Sequence, residues 1–261
     1  MGKILAVTNQ KGGVGKTTTS VNLAASLAAT RRKILLVDLD PQGNATMGCG
    51  VDKHSIRASI YDVLMAEMAP QRAIVSVEGS GFSLLPANGD LTAAEVELMQ
   101  MEGREFKLRR ALQPVRNEYD YILIDCPPSL NMLTVNALVA ATGVLIPMQC
   151  EYYALEGLSA LIRTIESIRQ TANPELQIEG LLRTMYDPRN NLSNDVSTQL
   201  IQHFGDRVYR TIIPRNIRLA EAPSYGMPVI QYDKGSRGAL AYLALAGEML
   251  RRDTRTVFVH Q

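Results

Sequence analysis

The stretch KGGVGKTT at residues 11–18 stands between an apolar run, KILAVT (3–8), and a segment with helical patterning (16–30). Gly12, Gly13 and Gly15 free the backbone there to bring its N–H groups close to anionic oxygens, an approach that a Cβ would block. The helix that follows adds the positive end of its dipole. Lys16 would reach the β- and γ-phosphates of a nucleotide, and the Thr17 hydroxyl would ligate Mg²⁺. The strict pattern G-x-x-x-x-G-K-[ST] fails, because Gln10 stands where it asks for its first glycine, and the loop carries a second lysine, Lys11. A strand, a phosphate loop and a helix in direct succession commit the chain to an α/β architecture.

The rest of the chain continues that alternation. Strand-like runs occur at 33–40, 82–87, 119–126, 143–149, 178–185 and 208–214, and helical patterns at 91–113, 129–141, 154–171, 192–204 and 236–251. Several runs are continuously apolar, as in strands covered on both faces. The expected fold is a single-domain P-loop NTPase, α/β, with a mostly parallel twisted sheet and helices on both faces. With 261 residues, 46% of them hydrophobic, the chain can fill one such core. The domain is expected to span 1–252. Segment 49–80, the least periodic, would cover one edge of the sheet. RDTRTVFVHQ (252–261) lacks a helical apolar face, so 253–261 reads as a loose tail, with room for a short strand at TVFV.

Three acids fall at strand ends. YDYILIDC (119–126) delivers Asp125, placed to hold the Mg²⁺ shell through water, and VDLDPQGNAT (37–46) delivers Asp38 and Asp40. In open α/β sheets ligands gather beyond the carboxyl ends of the strands, so these acids share a crevice with the loop.

Bulk properties exclude several classes. A net charge of +1 gives no global field for nucleic acid, so any DNA surface must be a local patch. There is no tryptophan and aromatics make up 5%, which argues against base-stacking platforms. Cys49, Cys126 and Cys150 lack C-x-x-C spacing, which disfavours a zinc site or disulfides and fits a reduced cytosolic setting. The N-terminal apolar run is too short for a secretory signal, nothing reaches the roughly 18 apolar residues of a membrane span, and Ala6 breaks the myristoylation pattern. The chain reads as soluble and cytoplasmic.

KGGVGKTT (11–18), DLDPQGNAT (38–46), IDCPPS (124–129), QCEYYALEGL (149–158) and IPRNIRLAEAPSYG (213–226) follow in order. Together they resemble the ParA/Soj chromosome- and plasmid-partitioning ATPases, members of the deviant Walker A group that also holds MinD. The likeness runs from about residue 2 to residue 250, and Gln10 matches this branch, whereas MinD-like members more often carry glycine there.

The resemblance implies ATP and Mg²⁺ as ligands, with Lys11, Gly12, Gly13, Val14, Gly15, Lys16, Thr17 and Thr18 around the nucleotide. It implies that Lys11 crosses a dimer interface to the partner's phosphate while Lys16 acts within its own protomer. Dimerisation is then conditional on ATP, since two lysines brought together without the γ-phosphate would repel. Gly12 would be small because two loops face each other. Asp40 is expected to position or activate the attacking water, with Asp38 on the Mg²⁺ side and Asp125 in its outer shell. A free aspartate titrates near 4, too low for a strong base at neutral pH, so orientation should dominate and turnover should be slow. Met185, Pro214 and Asn216 would lie beside the adenine, and Glu151 would meet the partner's nucleotide or ribose.

Arg183, Arg189, Arg207, Arg210, Arg215, Arg218, Lys234 and Arg237 cluster in the C-terminal half. Arg189 and Arg218 match positions where Soj-like members contact DNA. Contacts to phosphates alone would make binding to double-stranded DNA sequence-independent, steeply salt-dependent and strongest for an ATP-aligned homodimer on the nucleoid. A ParB/Spo0J-type centromere-binding partner would stimulate hydrolysis and release the dimer. The loop begins near residue 10, leaving no room before it for a helix-turn-helix operator-binding domain. Two other readings stay open. A MinD-like membrane-cycling ATPase would need an amphipathic C-terminal helix, whose periodicity Thr254, Thr256 and the Val-Phe-Val run spoil, so no stable membrane association is expected. A metabolic P-loop enzyme would be a synthetase, or an iron–sulfur reductase with cysteines near the dimer axis.

Overall fold

The structure, a computed structural model, describes residues 2–259, with side chains as far as Thr254. Its strands are β1 (Lys3–Val7), β2 (Ile34–Asp38), β3 (Val75–Ser76), β4 (Ser83–Leu85), β5 (Tyr121–Asp125), β6 (Gly143–Gln149), β7 (Gln177–Tyr186) and β8 (Val208–Pro214). They form one sheet in the order β3-β4-β2-β5-β1-β6-β7-β8. All neighbours are parallel except β3 and β4.

The continuously apolar strands are explained by two cores, one on each face. Ile4 and Ala6 of β1, Leu35 and Val37 of β2, and Ile122 and Ile124 of β5 enter the first. Their alternates, Leu5 and Val7, Ile34 and Leu36, Tyr121 and Leu123, enter the second. Side chains of the helices Leu91–Met99, Met132–Ala140 and Ala154–Thr171 close the first core, and those of Lys16–Ala28 and Arg237–Val259 close the second. Because a strand's side chains alternate between faces, covering both makes every position apolar.

Of three local expectations, two are corrected and one holds. The helix expected over 91–113 breaks: Leu91–Met99 ends, Gly103 turns with φ 59, and a new helix runs Lys107–Leu112. Its entry is stabilised by Asn136, whose Oδ1 accepts from the Leu108 N–H at 3.0 Å. Segment 49–80 does cover an edge, through β3 and the short helices Ile60–Leu64 and Pro70–Ala73. The loose tail expected from 253 is instead the end of a helix that continues to Val259. Tertiary anchors outweigh the poor helix propensity of this stretch: Asp253 accepts from Lys3 Nζ at 2.6 Å and from the Tyr121 hydroxyl, and Arg252 stacks 4.0 Å over the Tyr209 ring. His260 and Gln261 lie outside the described residues.

The register positions the site. Val7 and Asp38 both pair with Asp125, so β1, β5 and β2 finish side by side and the segments leaving them begin at one level.

Candidate functional site

The loop after β1 is held at both flanks. Asn9 donates from Nδ2 to the Pro147 carbonyl of β6 at 2.9 Å and accepts from the Lys11 N–H at 3.0 Å. On the other side the Thr184 hydroxyl of β7 donates to the Val14 carbonyl at 2.8 Å. Between these ties Gly13 (φ 71) and Gly15 (φ 84) take left-handed conformations that side chains resist. A Cβ at Gly12 would meet nothing of this chain within 4 Å, so the protomer itself does not demand glycine there. Lys16 is buried and its Nζ donates to the Lys11 carbonyl at 3.1 Å. Burial lowers its pKa, opposed by the charges of Asp125, Cys126 and Asp40.

Asp125 is fully buried. Its Oδ1 accepts from the Ser20 hydroxyl at 2.7 Å, and its Oδ2 has no partner. Burial, and then the neighbouring Asp38 charge, push its carboxyl well above the usual carboxylate range, while Ser20 and Thr17 pull it down. Asp38 is equally buried and raised by burial, yet it is satisfied. Its Oδ2 accepts from the Thr46 N–H at 2.8 Å and hydroxyl at 2.7 Å, and its Oδ1 from the Asp40 N–H at 3.2 Å. Asp38 therefore fixes the segment that presents Asp40, which in turn accepts from the Gln42 N–H at 2.9 Å. A buried carboxylate oxygen without a donor is an arrangement a cation completes. The residues fit Mg²⁺ in that sense: Thr17 and Asp125 would hold it, with Asp38 behind them.

Met185, Pro214 and Asn216, expected at the base, come together with Gly15 and Thr18 around one cavity of about 210 Å³. Met185 has φ 48, uncommon for a residue with a side chain, and such conformations persist where the surroundings over-determine them.

The rim of the site differs from its floor. Lys11 forms an ion pair with Glu151 of the same protomer, both about half exposed. Arg189 grips Asp187 through two hydrogen bonds of 2.9 and 2.7 Å, holding that carboxyl well below its usual range. Arg218 pairs with Glu221 at 2.8 Å and Asp233 at 3.4 Å. The two arginines leave neighbouring strand ends, since Tyr186 of β7 pairs with Pro214 of β8. Arg183, counted with the surface charges in the sequence, is a correction: it is 6% exposed and donates to Ser197 Oγ and the Tyr209 carbonyl. All three cysteines are buried as well.

The sequence reading did not name Asn9, Ser20, Thr46 or Thr184. Ser20 had a signal, its place one helical turn after Lys16. Thr184 had none, because its partner lies 170 residues away.

Residues 2–178 match the family described as AAA domain. The chain is 52% identical to the chromosome partitioning protein ParA of Myxococcus xanthus over 254 residues, covering 97% of this chain and 90% of that one. It is 53% identical to the sporulation initiation inhibitor protein Soj of Bacillus subtilis over 249 residues, covering 95% and 98%. Among solved structures it is similar to the cobyrinic acid a,c-diamide synthase of Mycobacterium smegmatis with bound ATP analog and magnesium. That pair has a TM-score of 0.85 and 40% identity, covering 97% of this chain and 96% of that one.

Proposed function

The chain belongs to the ParA/Soj family of chromosome-partitioning ATPases, and from that premise we propose that it serves DNA segregation as a nucleotide-operated switch. ATP binds in the loop after β1, where Lys16 exchanges the Lys11 carbonyl for the β- and γ-phosphates. Magnesium held there would supply positive charge against the charge that develops on the phosphates. Asp125 and Thr17 would hold the metal, and Asp38 fixes the segment that carries Asp40. Asp40 orients the attacking water rather than removing its proton. The base would enter the cavity of Met185, Pro214 and Asn216, which Gly15 and Thr18 also line.

Two copies then close face to face. Lys11 leaves Glu151 and reaches the phosphates of the partner's nucleotide, which frees Glu151 to meet the partner's nucleotide or ribose. An exposed ion pair holds its members by only about 0–1 kcal/mol, so little opposes the exchange. The open space around Gly12 supports this reading, since it is where a second loop would come. Arg189 and Arg218 of both copies bind DNA phosphates, which displace Asp187, Glu221 and Asp233. A ParB-type partner stimulates hydrolysis, and the dimer leaves the nucleoid.

The observation that carries the proposal is the unfinished floor: Asp125 Oδ2 buried without a partner, beside a buried Lys16 resting on a carbonyl. A segregation role is favoured over the synthase chemistry named for the structural neighbour because the partition relatives are 52% and 53% identical against its 40%. Membrane cycling is disfavoured because the terminal helix spends Tyr242, Leu245, Ala246 and Met249 on the second core. No helix among the described residues is long and apolar enough to cross a membrane.

The test is DNA retention with ATP, with ADP and without nucleotide. Retention only with ATP is expected for the wild type, and equal retention with ADP would refute the switch. Lys16→Ala should lose nucleotide, Asp40→Ala should stay trapped on DNA, and Arg189→Ala should dimerise yet hold DNA a few-fold more weakly. If Asp40→Ala hydrolyses at the wild-type rate, its assigned role is wrong.

A further inference from the structure

Tyr152 and Tyr153 are 73% and 70% exposed, and among the described residues no large apolar side chain is more so. They form an edge-to-face pair with ring centroids 5.0 Å apart. Exposing two adjacent aromatics is costly for a soluble chain, and such a patch marks a contact surface. The pair follows Glu151 directly, and Glu151 holds Lys11, so the tyrosines stand at the rim of the nucleotide loop. Beside that loop lies a shallow, open groove of about 530 Å³ between Gln10, Leu130 and the helix Ala154–Thr171, which lines it with Ala160, Arg163, Thr164, Ser167 and Ile168. Leu130 is itself exposed. A protrusion and a groove thus adjoin one lysine.

We propose that Tyr152 and Tyr153 anchor the ATP-bound dimer by seating in the groove beside Gln10 and Leu130 of a second copy of this chain. The inference rests on the dimer reading above and names the contact that reading leaves unspecified. A two-fold interface must be complementary to itself, so a knob and a hole on one surface are what it requires. The occupant is a second copy because knob and hole are continuous with Lys11, the side chain that has to cross between copies. Aromatic side chains seated in pockets are typical interface hot spots, and they lose little rotamer freedom on ordering. Seating Tyr152 also draws on its neighbour Glu151, so closure of the dimer and release of Lys11 become one event.

The test is sedimentation equilibrium with a hydrolysis-resistant ATP analogue and Mg²⁺, beside a titration of the full-length protein with a fluorescent ATP analogue. Tyr152→Ser/Tyr153→Ser should raise the dimer dissociation constant at least ~30-fold while nucleotide binding to the protomer is kept. Ala160→Arg, which fills the groove from the other side, should do the same, and Tyr152→Phe/Tyr153→Phe should dimerise like the wild type. A wild type that dimerises no better than it does without the analogue would sink the dimer reading itself. A dimerising wild type with equally tight serine and arginine variants would overturn only the tyrosine anchor. So would serine variants that dimerise normally but lose stimulation by a centromere-binding protein, which would assign the patch to that partner. Loss of nucleotide binding in the serine variants would place the tyrosines at the nucleotide and also overturn the proposal.

Discussion

Around one loop the chain keeps two lysines on opposite terms. Lys16 is buried, rests on a backbone carbonyl and sits near Asp125, whose second oxygen lacks a partner. Lys11 is exposed and rests on Glu151, another half-exposed side chain. The same contrast separates the floor of the site from its rim. Floor groups are fixed by buried hydrogen bonds, such as Ser20 to Asp125 and Thr184 to Val14. Rim cations are held by carboxylates that water and salt can replace, as Arg189 is by Asp187 and Arg218 by Glu221. On the proposed reading the floor binds one ligand and the rim exchanges partners.

If the floor is what binds nucleotide, the two lysines must separate most in a titration with a fluorescent ATP analogue at protomer concentrations too low for dimers. Lys16→Ala should weaken affinity by ~100-fold or more, through loss of its charge-assisted bonds to phosphate. Lys11→Ala should stay within about threefold. Equal losses would erase the distinction between floor and rim.

The acids of the floor sharpen the contrast through pH. Asp125 and Asp38 have folded pKa values raised by burial, so the folded chain binds protons there that the unfolded chain has lost. Their contribution to stability is present below the ordinary carboxylate range and fades as pH rises through the raised values. The melting temperature of the nucleotide-free protein should therefore fall between about pH 5 and pH 8. Asp125→Asn should flatten that slope and also lose Mg²⁺-dependent stabilisation by ADP. A slope unchanged in the variant would remove Asp125 from the floor.

Smaller effects follow at the ties. Thr184→Val leaves the Val14 carbonyl without its donor and should cost about 1–2 kcal/mol of nucleotide binding, roughly tenfold. Thr184→Ser should restore it. Smallest of all are the rim arginines. Arg189→Ala should weaken DNA binding a few-fold and lower the slope of log affinity against log salt by about one for each phosphate left unneutralised. Asp187→Asn should tighten binding slightly by releasing Arg189, and a weakening there would show that Asp187 does more than hold its arginine.

Much of the floor was legible in the sequence, because phosphate binding needs glycines and a lysine at fixed spacing and a buried strand ending in an acid. KGGVGKTT and YILID are local patterns, and their meaning survives without tertiary context. The two-sided sheet was legible for the same reason, since continuous apolar runs require cover on both faces. What was hidden depends on partners distant in the chain. Thr184 acts on Val14, Asn9 on Pro147, and Arg183 is buried against Ser197 and Tyr209, although an isolated arginine reads as surface charge. The terminal helix was missed because local propensity opposes it and Lys3 and Tyr121, far away along the chain, supply its anchor.

The exchange of Lys11 between copies can be tested by mixing two inactive variants. Lys11→Ala keeps its own Asp40, and Asp40→Ala keeps a lysine to lend, so each should hydrolyse ATP poorly alone. In a mixed dimer one site regains both groups, and hydrolysis should return on mixing to a sizeable fraction of the wild-type rate per complete site. A mixture as inactive as its components, with mixed dimers shown to form, would contradict a lysine that acts across the interface.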